Sequence, residues 1–318
     1  MKSLLHIPSL EDIQETHEAI SQMIHHTPVL QCRTINELCG ASLYFKCENF
    51  QKVGAFKMRG AASAILRLED ADRKLGVTTH SSGNHAQAVA RAARMSGIKA
   101  WIVMPENAPE IKREATKGYG AEIISCAPNV AARENTLEEV RQKTGAYFIH
   151  PYNDYNVIAG QATAAKELLN DTPPLDAIIA PIGGGGLMSG TALITRYISP
   201  NTRIYGSEPI AVDDAYRSFK AGHIIPNAST NTIADGLRTN LGEKTFDIIQ
   251  RHIDDIFTVS ESSIIEAMRL VWERMKIIIE PSCAVPLAAV LQNPEVFAGK
   301  KVGIILSGGN VDLRELPF

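Results

Sequence analysis

The chain is 318 residues long, 45% apolar and 21% charged, with a net charge of −3. That length can bury a substantial core and suggests two domains, while a balance without a basic stripe or a long like-charge run excludes nucleic acid and anionic membrane as expected partners. No apolar window approaches a membrane span, the start "MKSLLHIPSLEDIQ" is unlike a secretory signal, and Cys32, Cys39, Cys47, Cys126 and Cys283 form no CxxC pair; zinc and disulfides are not expected, and a reducing, cytoplasmic setting is.

In chain order, helices and one strand ("SLYFKC") come first. From Gly76 to Phe148 strands and helices alternate: "VTTHS", a helix through "HAQAVARAARMSG", "AWIVM", a helix through "APEIKREATKGYG", "EIISC", a helix through "ARENTLEEVRQKTG", then "YFIH". This spacing predicts a compact, mostly parallel α/β unit. A second series runs through "NVIAGQATAAKELL", "DAIIAPI", "RIYGSEP", "DDIFTVS", "SIIEAMRLVWERMKIII" and "KKVGIILSGGN". The first 75 residues do not complete a sheet alone and are expected to join this second series. The predicted fold is therefore α/β, with two open twisted, mostly parallel sheets flanked by helices. A smaller domain (76–148) is inserted in a larger one (1–75 plus 149–318), and ligands would collect beyond the carboxyl ends of the strands.

The stretch "GGGGLMSG" follows the apolar run "DAIIAPI" and leads into a helical pattern. Glycine is costly to order, so four in succession here suggest backbone amides that approach an anion closely, with phosphate the leading choice and a tight packed turn the alternative. Leu187 and Met188 stand where a Walker loop needs Lys-Ser/Thr, and Met188 where a dinucleotide fingerprint needs its third glycine, so neither fits.

Three further stretches stand at strand-to-helix turns or strand ends. "VGAFKMRGA" sets Lys57 one turn ahead of a helical pattern, beside Phe56 and before Arg59. "HSSGNHAQA" carries Ser81, Ser82, Asn84 and His85, and "LSGGNVD" puts Ser307 at the end of the last apolar strand. Taken singly, they read as a solvated lysine, a cap and a turn. "GSEPIAVDD" carries Glu208 and Asp214 six residues apart after a strand, either a solvated acidic loop or ligands for a hard cation.

Together these motifs, with "HTPVLQ", "AGQATAAKEL", "TIADGL" and "LVWERMKIIIEPS", resemble the fold-type II pyridoxal phosphate enzymes, the tryptophan synthase β-like family. Within it, the resemblance is to the serine racemase, serine/threonine dehydratase and 3-hydroxyaspartate ammonia-lyase branch, and it covers nearly the whole chain. It implies pyridoxal 5'-phosphate in the cleft between the domains, with Lys57 bound to the cofactor aldehyde and Phe56 packed nearby. Gly183, Gly184, Gly185, Gly186 and Leu187 would hold the phosphate by their amides, Asn84 the 3-oxygen, and Ser307 the pyridine nitrogen. Glu280 would lie near the ring. A hydroxyl at that nitrogen is a weaker electron sink than an aspartate would make, which favours loss of a β-hydroxyl or reprotonation at Cα over transamination.

The resemblance also implies that Lys57 takes the Cα proton from one face and Ser82 serves the other face in racemisation. Ser81 and His85 would contact the substrate α-carboxylate, and Arg133 the second carboxylate of a hydroxyaspartate. Glu208, Asp214 and the Val212 carbonyl would bind Mg²⁺, Mn²⁺ or Ca²⁺. The implied reaction is α,β-elimination from β-hydroxy amino acids to keto acid and ammonia, with serine racemisation as a main or side activity; a threonine/serine dehydratase without racemisation and a non-catalytic cofactor-binding protein are the alternatives. Family members are commonly homodimers. Lys52, Gln87, Tyr119, Lys276 and Asn310 match positions of an ATP site, but Cys32 and Arg33 replace its small hydroxyl residues, which argues against ATP activation.

Overall fold

The computed structural model describes residues 1–81, 83–108 and 110–318, with Ile111 and Val130 described by their backbone alone. Among the described residues, ten strands form two sheets. They are β1 (Val29–Leu30), β2 (Ser42–Cys47), β3 (Val77–His80), β4 (Ala100–Pro105), β5 (Glu122–Cys126), β6 (Tyr147–Phe148), β7 (Ala177–Pro181), β8 (Arg203–Pro209), β9 (Asp255–Val259) and β10 (Lys301–Leu306). The six-stranded sheet has the order β1-β2-β10-β7-β8-β9 and the four-stranded sheet β5-β4-β3-β6. Every pairing is parallel except β1 with β2. The central strands β7 ("AIIAP") and β10 ("KVGIIL") are apolar nearly throughout because helices cover both faces of a parallel sheet.

β2 joins the large sheet beside β10, in register from Ser42 with Lys301 to Cys47 with Leu306, so the early residues do complete the later sheet. The four-stranded sheet is built wholly from residues 77–148. All five cysteines are free. Among the described residues, no helix is long and apolar enough to cross a membrane.

The structure corrects two local expectations. Lys57 is the first residue of the helix Lys57–Leu66 rather than one turn ahead of it. Glu208 lies inside β8, and only Asp214 follows the strand, opening the helix Asp214–Ala221. Within the run "SIIEAMRLVWERMKIII" the helix Glu261–Leu270 is followed by a π turn at Val271–Met275, and Lys276 takes a left-handed conformation at φ 60°. The Trp272 indole N–H donates to the Ile279 carbonyl at 3.0 Å, fastening the chain that leaves this turn for Glu280.

The Lys57 helix lies against the helix Tyr155–Asp171, and a close backbone approach sets their spacing. A Cβ on Gly160 would collide with the Arg59 carbonyl, so only glycine fits there. Beneath them the fully buried Arg59 guanidinium meets both oxygens of Glu48, at 2.7 and 2.8 Å, and both of Glu167, at 2.8 and 2.7 Å. Buried Lys46 adds a second cation, 2.7 Å from Glu167. Two cations against two carboxylates leave this interior cluster balanced, the condition under which buried charge is tolerated.

Candidate active site

The site is assembled at the carboxyl ends of β10, β7 and β3. Just past β10, Ala55 and Gly308 form an antiparallel bridge, and the Phe56 N–H donates to the Ser307 carbonyl at 3.0 Å. This pairing brings Lys57 beside the end of β10, although the two are 250 positions apart in sequence. The Lys57 amine donates to the Pro151 carbonyl at 2.8 Å and stands 5.1 Å from the centre of the Phe56 ring. Among the described residues, no carboxylate is within ion-pair distance of it. Burial lowers its pKa to about 8, with the Glu280 charge opposing that shift.

Beyond β7 the chain passes through Gly183, Gly184 and Gly185 into the helix Gly186–Ile198. Gly185 is left-handed at φ 86°, which turns the strand into the helix. Among the described residues, no acceptor lies within hydrogen-bond reach of the amides of Gly183, Gly184, Gly185, Gly186 or Leu187. Tyr152 packs so tightly over Gly184 that a Cβ there would enter its ring. Free amides at a helix N-terminus, with no room for side chains, fit a bound phosphate.

Asn84 opens the helix Asn84–Met95 and donates its amide to both Glu280 oxygens, at 2.9 and 3.1 Å, while Asn310 donates to its carbonyl at 2.8 Å. The Asn310 N–H also reaches Glu280, at 3.2 Å. Burial, then the nearby Asp235 charge, raises the Glu280 pKa to about 7; the Asn84 hydrogen bond and the Lys112 charge oppose this. Ser81 accepts from the Gly83 N–H at 3.2 Å. His85 is buried, with Nε2 3.2 Å from the Ile149 carbonyl and Nδ1 without a partner among the described residues. Burial, reinforced by the Lys57 charge, holds its pKa well below the usual value, so the ring is neutral. With the Nε2–H donating to that carbonyl, the neutral ring leaves Nδ1 as a buried acceptor beside the serine turn, open to a donor group of a ligand.

Ser82 lies outside the described residues. Arg133 is half-buried on the helix Val130–Thr144, near enough to His80 that its charge, after burial, lowers that imidazole's pKa. The remaining expected residues form a separate cluster. Glu208 and Asp214 are fully buried, and Glu208 accepts from the N–H groups of Ala215 and Tyr216 at 3.3 and 2.8 Å. Asp214 accepts from Asn227 at 2.7 Å and from the Leu241 N–H at 2.8 Å, and Val212 is buried in the turn between the two acids. Burial, then the charge of Asp214, raises the Glu208 pKa well above its usual value; burial raises Asp214 to about 6. Among the described residues, no third His, Cys, Asp or Glu joins the pair.

The family profile described as "Pyridoxal-phosphate dependent enzyme" matches residues 20–308. The chain belongs to that family. The beta-hydroxyaspartate dehydratase of Paracoccus denitrificans is 50% identical over 99% of this chain and 100% of its own length. The serine racemase of Dictyostelium discoideum is 49% identical over 97% of this chain and 96% of its own. A crystal structure of serine racemase from Dictyostelium discoideum matches with a TM-score of 0.92 at 50% identity, covering 96% of this chain and 99% of that one. For a pyridoxal-phosphate-dependent enzyme, the buried amine, the free amides of the glycine loop and the neutral imidazole are a fitting set.

Sequence reading missed the "HPYND" segment of this family member. His150 Nδ1 accepts from the N–H groups of Tyr152 and Asn153, at 3.2 and 2.9 Å, Pro151 holds Lys57, and Tyr152 lids the glycine loop. A His-Pro pair one residue beyond a short strand, followed by the capping Asp154, was the available signal.

Proposed function

We propose that this enzyme eliminates the β-hydroxyl of β-hydroxy amino acids as water, the product then taking up water to release ammonia and a keto acid, with serine racemisation as a main or side reaction and 3-hydroxyaspartate within its substrate range. The observation that carries the reading is the Lys57 amine, buried beside Ser307 with its pKa near 8 and no carboxylate partner among the described residues. When bound, pyridoxal phosphate supplies the electron withdrawal that acidifies the substrate Cα–H and labilises the β-hydroxyl.

The chain's own residues do the rest. Lys57 anchors the cofactor and, as a neutral amine, accepts the Cα proton. The amides of Gly183 to Leu187 hold the phosphate, Ser307 the pyridine nitrogen and Asn84 the 3-oxygen; Phe56 packs near the cofactor, and Glu280 fixes the Asn84 amide. Ser81 and the His85 backbone N–H, in the first turn of the helix Asn84–Met95, orient the substrate α-carboxylate, so that Cα presents its proton to Lys57. Racemisation needs an acid on the opposite face of Cα, the role the resemblance gives to Ser82. Arg133 is the cation available for a second carboxylate.

The two buried acids Glu208 and Asp214, with the Val212 carbonyl, make a hard-cation site for Mg²⁺, Mn²⁺ or Ca²⁺. Repulsion and burial both disfavour leaving that pair ionised without one. Residues 76–148 form a smaller domain that can move against residues 1–75 plus 149–318, and the protein works as a cytoplasmic homodimer. The 49% and 50% identity to a serine racemase and a beta-hydroxyaspartate dehydratase supports the choice of substrates.

The test is keto-acid release from L-serine, L-threonine and the 3-hydroxyaspartate stereoisomers in the presence of Mg²⁺, with D-serine assayed in parallel. Pyruvate together with D-serine from L-serine supports the reading. Release confined to L-threonine, or none from any substrate by protein that retains the cofactor's visible absorbance, overturns it.

A further inference from the structure

Residues 241–245, the turn that opens the helix Glu243–His252, join the buried acids to the glycine loop. At one end the Leu241 N–H donates to Asp214 Oδ2 at 2.8 Å. At the other the buried Thr245 hydroxyl lies 2.8 Å from the Gly184 carbonyl and 3.0 Å from the Gly242 carbonyl, its single proton donating to the nearer, and accepts from the Gly242 N–H at 3.0 Å. Ser189, in the first turn of the glycine-loop helix, returns a hydroxyl to the Thr245 carbonyl at 3.3 Å. The contact is also steric, since Leu241, Thr245 and Ile249 crowd to 2.8–3.0 Å around the place a Cβ would take on Gly185.

Peptide geometry gives this clamp its consequence. The Gly184 carbonyl and the Gly185 N–H belong to one planar trans unit and point in opposite directions. Fixing the carbonyl on Thr245 therefore aims the Gly185 N–H away from that hydroxyl, where its hydrogen bond remains free for an anion. Because the parts between are close-packed, a small displacement of Asp214 passes to the loop rather than being absorbed.

We infer that the 241–245 turn couples the Glu208–Asp214 pair to the phosphate cradle, so that a divalent cation at the pair tightens binding of the phosphorylated cofactor through Thr245. This rests on the cation and phosphate sites assigned above. Linkage requires the effect to be reciprocal: the cofactor must raise cation affinity by the same factor.

Titration of the apoprotein with pyridoxal phosphate, with and without saturating Mn²⁺, tests this while paramagnetic resonance of free Mn²⁺ reports cation uptake. The cofactor Kd is expected to fall about fivefold or more with Mn²⁺, within the usual range of coupling between sites. Pyridoxal lacking the phosphate should show no such change. In Thr245→Val, Mn²⁺ still binds but the cofactor Kd no longer responds, and Thr245→Ser recovers the response. Bound Mn²⁺ with an unchanged wild-type cofactor Kd, or a full response in Thr245→Val, overturns the coupling. Absence of Mn²⁺ uptake sinks the cation site and the coupling with it, and the resonance measurement distinguishes that failure. Reciprocity in the wild type keeps the test decisive should a variant not fold.

Discussion

Phe56 and Ser307 share a backbone hydrogen bond of 3.0 Å, and through it the lysine that starts one helix is held beside the end of the last strand of the large sheet. The geometry of the site depends on that contact more than on either motif alone, because it sets the amine against the residue assigned to the pyridine nitrogen.

The Lys57 amine should be visible in the pH dependence of stability. Its folded pKa of about 8 lies below the ordinary 10.5, so the unfolded chain binds more protons between those values and apoprotein stability rises with pH across that window. Lys57→Met should remove this rise, on the order of 3 kcal/mol, together with the cofactor's visible absorbance and turnover. Urea unfolding of both apoproteins from pH 7 to 10.5 checks the slope.

Glu280 has the opposite sign. Its folded pKa, about 7 against an ordinary 4.5, makes the folded protein bind more protons, so its contribution to stability falls as pH rises through that interval. Glu280→Gln should flatten this segment. It also removes a negative charge that raises the Lys57 pKa, so the acid limb of the turnover profile should move to lower pH. An unmoved limb would separate Glu280 from Lys57.

Arg59→Ala leaves the Glu48 and Glu167 carboxylates facing each other in the interior with Lys46 as the remaining buried cation. Breaking a buried pair costs about 3–5 kcal/mol. The midpoint of urea unfolding should fall accordingly, with Arg59→Lys losing part of that amount, since an ammonium cannot meet two carboxylates as a fork.

Gly184→Ala sets a methyl group against the Tyr152 ring. Overpacking of this kind costs about 1–3 kcal/mol. Here it should fall on cofactor binding, weakening pyridoxal phosphate affinity about 5- to 150-fold by equilibrium titration, and Tyr152→Ala in the same chain should recover part of the loss.

Ser82→Ala should suppress D-serine formation from L-serine while keto-acid release continues. Chiral analysis of the products decides it: an undiminished racemisation rate assigns the second face of Cα to another group.

Much of this protein was readable along the chain. Alternating apolar runs and helical periodicities announced two α/β units, because parallel strands covered on both faces must be apolar throughout, as "AIIAP" and "KVGIIL" are. The glycine run pointed to an anion cradle or a tight packed turn, and the structure leaves its amides without acceptors among the described residues. Within "SIIEAMRLVWERMKIII" the structure ends the α-helix at Leu270 and turns the chain left-handed at Lys276, where the Trp272 to Ile279 hydrogen bond fastens the exit, a contact no periodicity along the chain announces. What the tertiary structure alone decided are relationships between distant residues. The pairing of Phe56 with Ser307, the Pro151 carbonyl on Lys57, the hold of Glu280 on Asn84 and the clamp of Thr245 on Gly184 each join positions 61 to 251 apart, farther than any local pattern extends. Local sequence specifies which backbone a segment prefers; the depressed pKa of Lys57 and the raised one of Glu280 arise from burial, which exists only once the two sheets and their helices have closed around them.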